Sequence, residues 1–142
     1  MKDYKELEVW QKSVTLATET YKTTERFPRA ERFGLTGQIR RAVTSVPANI
    51  AEGWGRGSTK EYIQFLLIAR GSLAELETHL IVAHRLQYLD QAPLNDLQGR
   101  IVSVGQMLNR LVQVLRARRF SRVPSPESRR SGYGAKSPPP DR

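Results

Sequence analysis

The chain has no cysteine, so neither disulfides nor thiolate metal sites can form, and a reducing compartment such as the cytoplasm suits it. It also lacks a long apolar run. Nothing approaches the roughly 18 consecutive apolar residues of a membrane span, and Met1-Lys2-Asp3-Tyr4-Lys5-Glu6 lacks the apolar stretch of a signal peptide. A soluble, cytoplasmic protein with no membrane partner is expected. Histidine is scarce, at two residues. Glu75, His79 and His84 are the only candidate metal set, but His84 is five residues beyond His79 and off its face, so no metal is expected. No histidine stands near a serine in a catalytic frame, and no acid/base carboxylate pair or nucleophile can be named. The reading is therefore non-enzymatic, with no cofactor.

What is present is helical periodicity. The chain is organised around Gly34 to Ser58, where Leu35, Ile39, Ala42, Val46 and Ile50 recur three and four apart on one helix face. Pro47 lies inside this stretch; it removes an N–H and crowds the carbonyl of Val43, so the helix is expected to bend. Before it, Leu7, Trp10, Val14, Ala17, Tyr21 and Thr24 form the expected inner stripe of a first helix, which Phe27-Pro28 ends. After it, Gly53-Trp54-Gly55-Arg56-Gly57 breaks the chain, with glycines expected at positive φ. Ser58 and Glu61 then read as a capping box. The third helix carries Tyr62, Phe65, Leu66, Ala69, Leu73, Leu76, Leu80, Ala83 and Leu86. Gly71 in its interior implies close approach of the second helix. A fourth helix follows Pro93, with Leu94, Leu97, Ile101, Val104, Leu108, Leu111 and Leu115 in a strict 3-4 alternation. Val102, Met107, Val112 and Val114 lie off that seam, so this helix is apolar on more than one side and self-association is expected. The fold class is all-α: an antiparallel up-down four-helix bundle over residues 1–120, with a bent second helix. Residues 121–142, rich in Arg, Pro and Ser, read as a disordered basic tail.

The segment from Leu7 to Leu89 resembles a known family. Leu7-Glu8-Val9-Trp10-Gln11-Lys12, Phe27-Pro28, Gly34-Leu35, Gln38-Ile39-Arg40-Arg41-Ala42, Val46-Pro47-Ala48-Asn49-Ile50-Ala51-Glu52-Gly53, Phe65-Leu66 and Ala69 to Thr78 are similar to the four-helix-bundle proteins encoded in intervening sequences of bacterial large-subunit ribosomal RNA genes. The accessory variability protein of diversity-generating retroelements looks like a relative. The resemblance implies a homopentamer whose basic surface meets RNA, DNA or a nucleic-acid enzyme such as a reverse transcriptase. It supplies no catalytic residues.

Net charge is +9, and residues 116–142, the end of the fourth helix together with the tail, carry eight basic groups against Glu127 and Asp141, so +6 of the excess lies in that stretch. In the body, Arg26, Arg29 and Arg32 crowd the first corner, Arg40 and Arg41 follow on the second helix, and Arg56 and Lys60 mark the next turn. These seven are the candidate nucleic-acid contacts, because arginine forks match phosphate and repetition around a ring adds avidity. Glu25 and Glu31 dilute them. Phe27, Phe33 and Trp54 are expected to pack corners, with base stacking as the other use. Gly53 to Ser58 has the general look of a phosphate cradle, but it follows a helix and lacks the Gly-Lys-Ser/Thr ending, which favours a plain turn. Glu52, with Glu75 or Glu77, is expected to pair with Arg40 or Arg41 across helices two and three. Two functions fit: an oligomeric nucleic-acid-binding adaptor, or a protein-interaction scaffold with no nucleic-acid role. Either requires the fourth-helix seam, so Leu108→Glu or Leu111→Glu is expected to prevent stable folding or assembly. A melting curve and particle mass matching the parent would refute that packing.

Overall fold

The computed structural model describes residues 2–121, with side chains through Arg118. Four helices make up most of this: α1 Glu8–Thr24, α2 Leu35–Trp54, α3 Thr59–Arg85 and α4 Gln91–Ser121. Short 3-10 turns at Tyr4–Glu6 and Arg29–Glu31 precede α1 and α2, and the described residues include no strand. Each helix packs on its chain neighbours and α1 also packs on α4, while among the described residues the backbones of the diagonal pairs stay apart. Short connections between such neighbours give the expected up-down bundle. The bundle's last helix runs to Ser121, and the tail expected to be disordered lies, from residue 122 on, outside the described residues.

The α2 stripe is buried as its spacing predicts: Ile39, Ala42, Val46 and Ile50 reach the core together with Val43, and Leu35 is half-buried at its edge. Pro47 sits inside a helix that continues to Trp54. On α1 the expected stripe is rotated. The buried residues are Val9, Ser13, Leu16, Thr20 and Thr24, and Tyr21 is exposed. Hydropathy misleads here because the hydroxyls satisfy themselves. Ser13 donates to the Trp10 carbonyl at 2.8 Å, Thr20 to the Leu16 carbonyl at 2.7 Å, and Thr24 to the Thr20 carbonyl at 2.9 Å. A back-bonded hydroxyl is small and costs little to bury.

The glycines also act differently from expectation. Gly55, which caps α2, has a right-handed backbone at φ −77°, so no left-handed turn closes the helix. Gly53 is instead a packing residue: a Cβ there would stand 2.8 Å from Phe65 Cβ and 3.2 Å from the Tyr62 carbonyl oxygen. Here α2 and α3 come together closely enough to exclude any side chain. Gly71, which was expected to mark that approach, faces open space. The oxygens of Ser45 and Ser72 join α2 and α3 further along.

At the start of α3, Ser58 Oγ accepts from the Glu61 N–H at 3.2 Å, which is half of the expected capping box. The Glu61 carboxylate turns to Arg56 instead, at 3.5 Å. Past the end of α3, Gln87 adopts φ 67°, and two reversed bonds finish the helix: Gln87 N–H to the His84 carbonyl and Tyr88 N–H to the Ala83 carbonyl, both 2.9 Å. That pattern is the one glycine normally serves. On α4 the buried line runs Leu94, Leu97, Ile101, Val104, Leu108, Val112 and Leu115. Val112 replaces Leu111, which is half-buried, because a straight helix of 3.6 residues per turn drifts off a 3.5-residue seam. Val102 and Val114 are exposed.

These glycine environments make opposite predictions. Gly53→Ala forces α2 and α3 apart and is expected to cost about 1–3 kcal/mol. Gly71→Ala meets no neighbour and removes helix-breaking freedom, with an expected gain of about 0.5–1 kcal/mol. Urea unfolding of both variants checks this, and equal effects would refute the assigned contact.

Candidate nucleic-acid interface

The corner between α1 and α2 is built by Phe27. Its ring is buried and packs on Tyr88 of the α3–α4 connection, with ring centroids 5.9 Å apart. The Tyr88 hydroxyl donates to Glu31 Oε2 at 3.0 Å, and that bond raises the phenol's pKa above its ordinary value. Glu31 Oε1 accepts the Leu35 N–H at 3.3 Å, at the N-terminus of α2, where a negative charge is favoured. The two corners thus share one end of the bundle, and Glu31 serves as a structural bracket.

Beside it lies an open cleft of about 280 Å³, where Arg29, Arg32 and Arg40 meet with Thr24, Thr36 and Glu25. Arg40 is held in place: Nε donates to Thr24 Oγ1 at 3.0 Å, Nη2 donates to the Tyr21 carbonyl at 3.3 Å, and the guanidinium lies 4.6 Å from the Tyr21 ring centroid. The back-bonded Thr24 hydroxyl therefore has a second purpose, aligning an arginine. Thr36 is only 7% exposed, and its hydroxyl has no partner among the described residues. Phe33 follows Arg32 in the chain and is 90% exposed, with the Arg32 guanidinium 5.6 Å from its ring centroid. It does not pack the corner as expected. An exposed ring beside an arginine is an arrangement that can accept a stacked base.

The other four candidate residues lie elsewhere. Arg26 borders a separate cleft of about 300 Å³ with Lys22, Tyr88 and Asp90. Arg41 is exposed, its guanidinium beside Gly37 and outside the cleft. Arg56 and Lys60 are at the α2–α3 turn, beyond Trp54, which is about 21 Å along α2 from Arg40 at 1.5 Å per residue. Arg56 is also occupied there, 3.6 Å from Glu52, 3.5 Å from Glu61 and 4.8 Å from the Phe65 ring centroid. The expected pairing of Glu52, Glu75 or Glu77 with Arg40 or Arg41 does not occur among the described residues. Arg40 turns to α1, Glu52 reaches only one helical turn along to Arg56, and Glu75 sits 3.5 Å from His79. His84 is apart from both, with Nδ1 2.7 Å from the Leu89 carbonyl oxygen. Sequence reading missed Thr24, Thr36 and the exposure of Phe33. Only the Arg32-Phe33 adjacency was a visible signal.

These features define a class: an all-helical four-helix bundle with an arginine cleft at one end. Among the described residues, no three His, Asp or Glu side chains are grouped to hold a metal, and no helix is long and apolar enough to cross a membrane. Residues 5–110 match the family model of the 23S rRNA-intervening sequence protein, and the chain belongs to that family. It is similar to a crystal structure from Bacteroides thetaiotaomicron, described as a protein with unknown function from the S23 ribosomal protein family. The two are 25% identical with a TM-score of 0.66, over 73% of this chain and 97% of that one. Comparison with curated proteins gives no match.

Because Arg40 ties α2 to α1 through two hydrogen bonds and a ring, Arg40→Ala is expected to lower stability by about 1–2 kcal/mol. Arg29→Ala, with no such ties, is expected to leave the urea midpoint within error. Equal losses for the two variants would refute the distinction between an arginine tied to α1 and one that is not.

Proposed function

We propose that the protein is a non-enzymatic, oligomeric nucleic-acid-binding or adaptor protein of the cytoplasm that grips phosphate through the Arg29, Arg32 and Arg40 cleft. The observation that carries this reading is that Arg29, Arg32 and Arg40 line one cleft, with Arg40 fixed by Thr24 and the exposed Phe33 ring against the Arg32 guanidinium. Arginine forks bind phosphate oxygens in pairs, and an exposed ring stacks on any base, so the cleft suits RNA or DNA without reading its sequence. Copies arranged in a ring, a pentamer by family resemblance, would multiply these weak contacts into useful avidity. Such a ring could deliver nucleic acid to an enzyme such as a reverse transcriptase.

A second reading, a protein-interaction scaffold, is favoured by one observation. Ile68, Val82 and Leu86 are exposed along one face of α3, and Val102 and Val114 are exposed on α4. Neighbouring subunits or a partner protein would cover such residues.

The experiment is fluorescence anisotropy of the full chain with a labelled RNA hairpin and a DNA duplex across a salt series. Three phosphate contacts per copy predict an affinity loss of about 40-fold between ~50 and ~200 mM salt. Arg29→Glu and Arg32→Glu are each expected to weaken binding and to lower the salt slope by about 1. Arg56→Gln is expected to change little, since two carboxylates already neutralise that side chain. No binding at low salt would favour the scaffold instead.

A further inference from the structure

Aromatic rings elsewhere in the bundle have neighbours that account for them. Tyr4 meets Trp10 edge-on at 5.4 Å, and Phe27 lies against Tyr88. At the end opposite the arginine cleft, Trp54 meets Tyr62 edge-on at 6.2 Å in the wall of an apolar cavity of about 480 Å³, with Leu7, Leu111 and Leu115 also in its lining. Tyr21 carries the Arg40 guanidinium, and Phe65 carries that of Arg56. Phe33 differs. It is 90% exposed, where no other large apolar side chain among the described residues passes 54%.

A phenyl ring left in water adds nothing to the burial that stabilises a bundle. Its position gives it a use. Arg32 lines the cleft with Arg29 and Arg40, and the same guanidinium lies 5.6 Å from the Phe33 ring centroid, so cleft and ring share one side chain. A phosphate held at Arg32 therefore has a flat apolar surface close by, and in a nucleic acid the flat group close to each phosphate is a base. Stacking needs an open base face. In a duplex those faces are taken by the neighbouring pairs, whereas in an unpaired strand they are free.

The shape of the corner favours the same class. With about 3.6 residues per turn, Lys22, Thr23 and Arg26 fall on one side of the end of α1, and Thr24 and Glu25 fall on the other. The two sets line separate clefts, the first with Asp90 and the second with the three arginines. Cations on both sides of one helix end suit a chain that turns within a few nucleotides. A duplex, with a persistence length of about 150 base pairs, does not turn so sharply.

We infer that the arginine cleft selects unpaired strands over duplex, holding phosphate at Arg29 and Arg32 while a base lies on the Phe33 ring. The inference deepens the phosphate-binding reading of the cleft and rests on it. The ligand class is single-stranded RNA or DNA, which share the open base face.

The test uses the full chain and four labelled oligonucleotides of about 12 nucleotides, within the usual range of strand-binding sites. They are an unstructured RNA, the DNA of the same sequence, that DNA annealed to its complement, and an abasic DNA strand. Anisotropy at about 50 mM salt is expected to show the tighter of the two base-bearing strands binding about tenfold better than either duplex or abasic strand, the effect of one stacked base. Whichever of RNA and DNA binds more tightly identifies the strand served. Phe33→Ala is expected to melt at the parent temperature, to lose that tenfold on the strand and to leave the duplex unchanged. Phe33→Trp is expected to keep the strand affinity, and Phe33→Leu, apolar but without a π face, to behave as Phe33→Ala does. Duplex binding as tight as the strand, with Arg29→Glu weakening both, would overturn the inference and leave the phosphate-binding reading standing. No binding of any of the four would remove that reading and the inference with it. Full strand affinity in Phe33→Ala or Phe33→Leu would also overturn the inference. So would a smaller particle mass for Phe33→Ala, which would make the ring a contact between copies of the chain.

Discussion

The bundle depends on the approach of α2 to α3 at Gly53. There the α2 backbone lies against Phe65 and Tyr62 with no room for a methyl group. That contact brings Trp54 over the Tyr62 ring, lets Arg56 reach both Glu52 and Glu61, and sets the short turn from which Ser58 starts α3. Because α2 and α3 form the most extensive pair in the bundle, their separation sets where α1 and α4 can settle. A side chain at Gly53 would disturb one end of the molecule first and the shared core next.

The two ends of the bundle have different chemistries, and α2 joins them. Near its start it carries Arg40, fixed against α1; at its finish it carries Trp54, a wall of the apolar cavity. The arginine cleft is polar and open. The opposite cavity is larger and mostly apolar-walled, with Leu7, Trp54, Leu111 and Leu115 in its lining.

Much of the fold was legible in the sequence. Apolar spacing located α2, α3 and α4 nearly to the residue, since burial of one face is what stabilises such helices and periodicity records that face directly. The Ser58 cap and the proline after Phe27 located boundaries, because capping and proline geometry act within a few residues. Family membership was legible for the same reason: the matching segments are those local signals in order. The arginine cluster of the first corner was visible as well, as Arg29 and Arg32 are close in the chain.

Other features were decided only by tertiary structure. Which face of α1 turns inward depended on hydroxyls bonding back to their own helix, an option that hydropathy does not record. Gly53 and Gly71 look alike in sequence, and only the position of Phe65 and Tyr62 makes one essential for packing and leaves the other open. Of the seven basic residues named as candidate contacts, only Arg29, Arg32 and Arg40 line one cleft, because helix length separates Arg40 from Arg56 and nearby carboxylates pair with the latter. The cavity at Tyr62 joins the N-terminal segment, α2, α3 and α4. Residues so far apart in the chain have no shared spacing, so only the packed bundle brings them together.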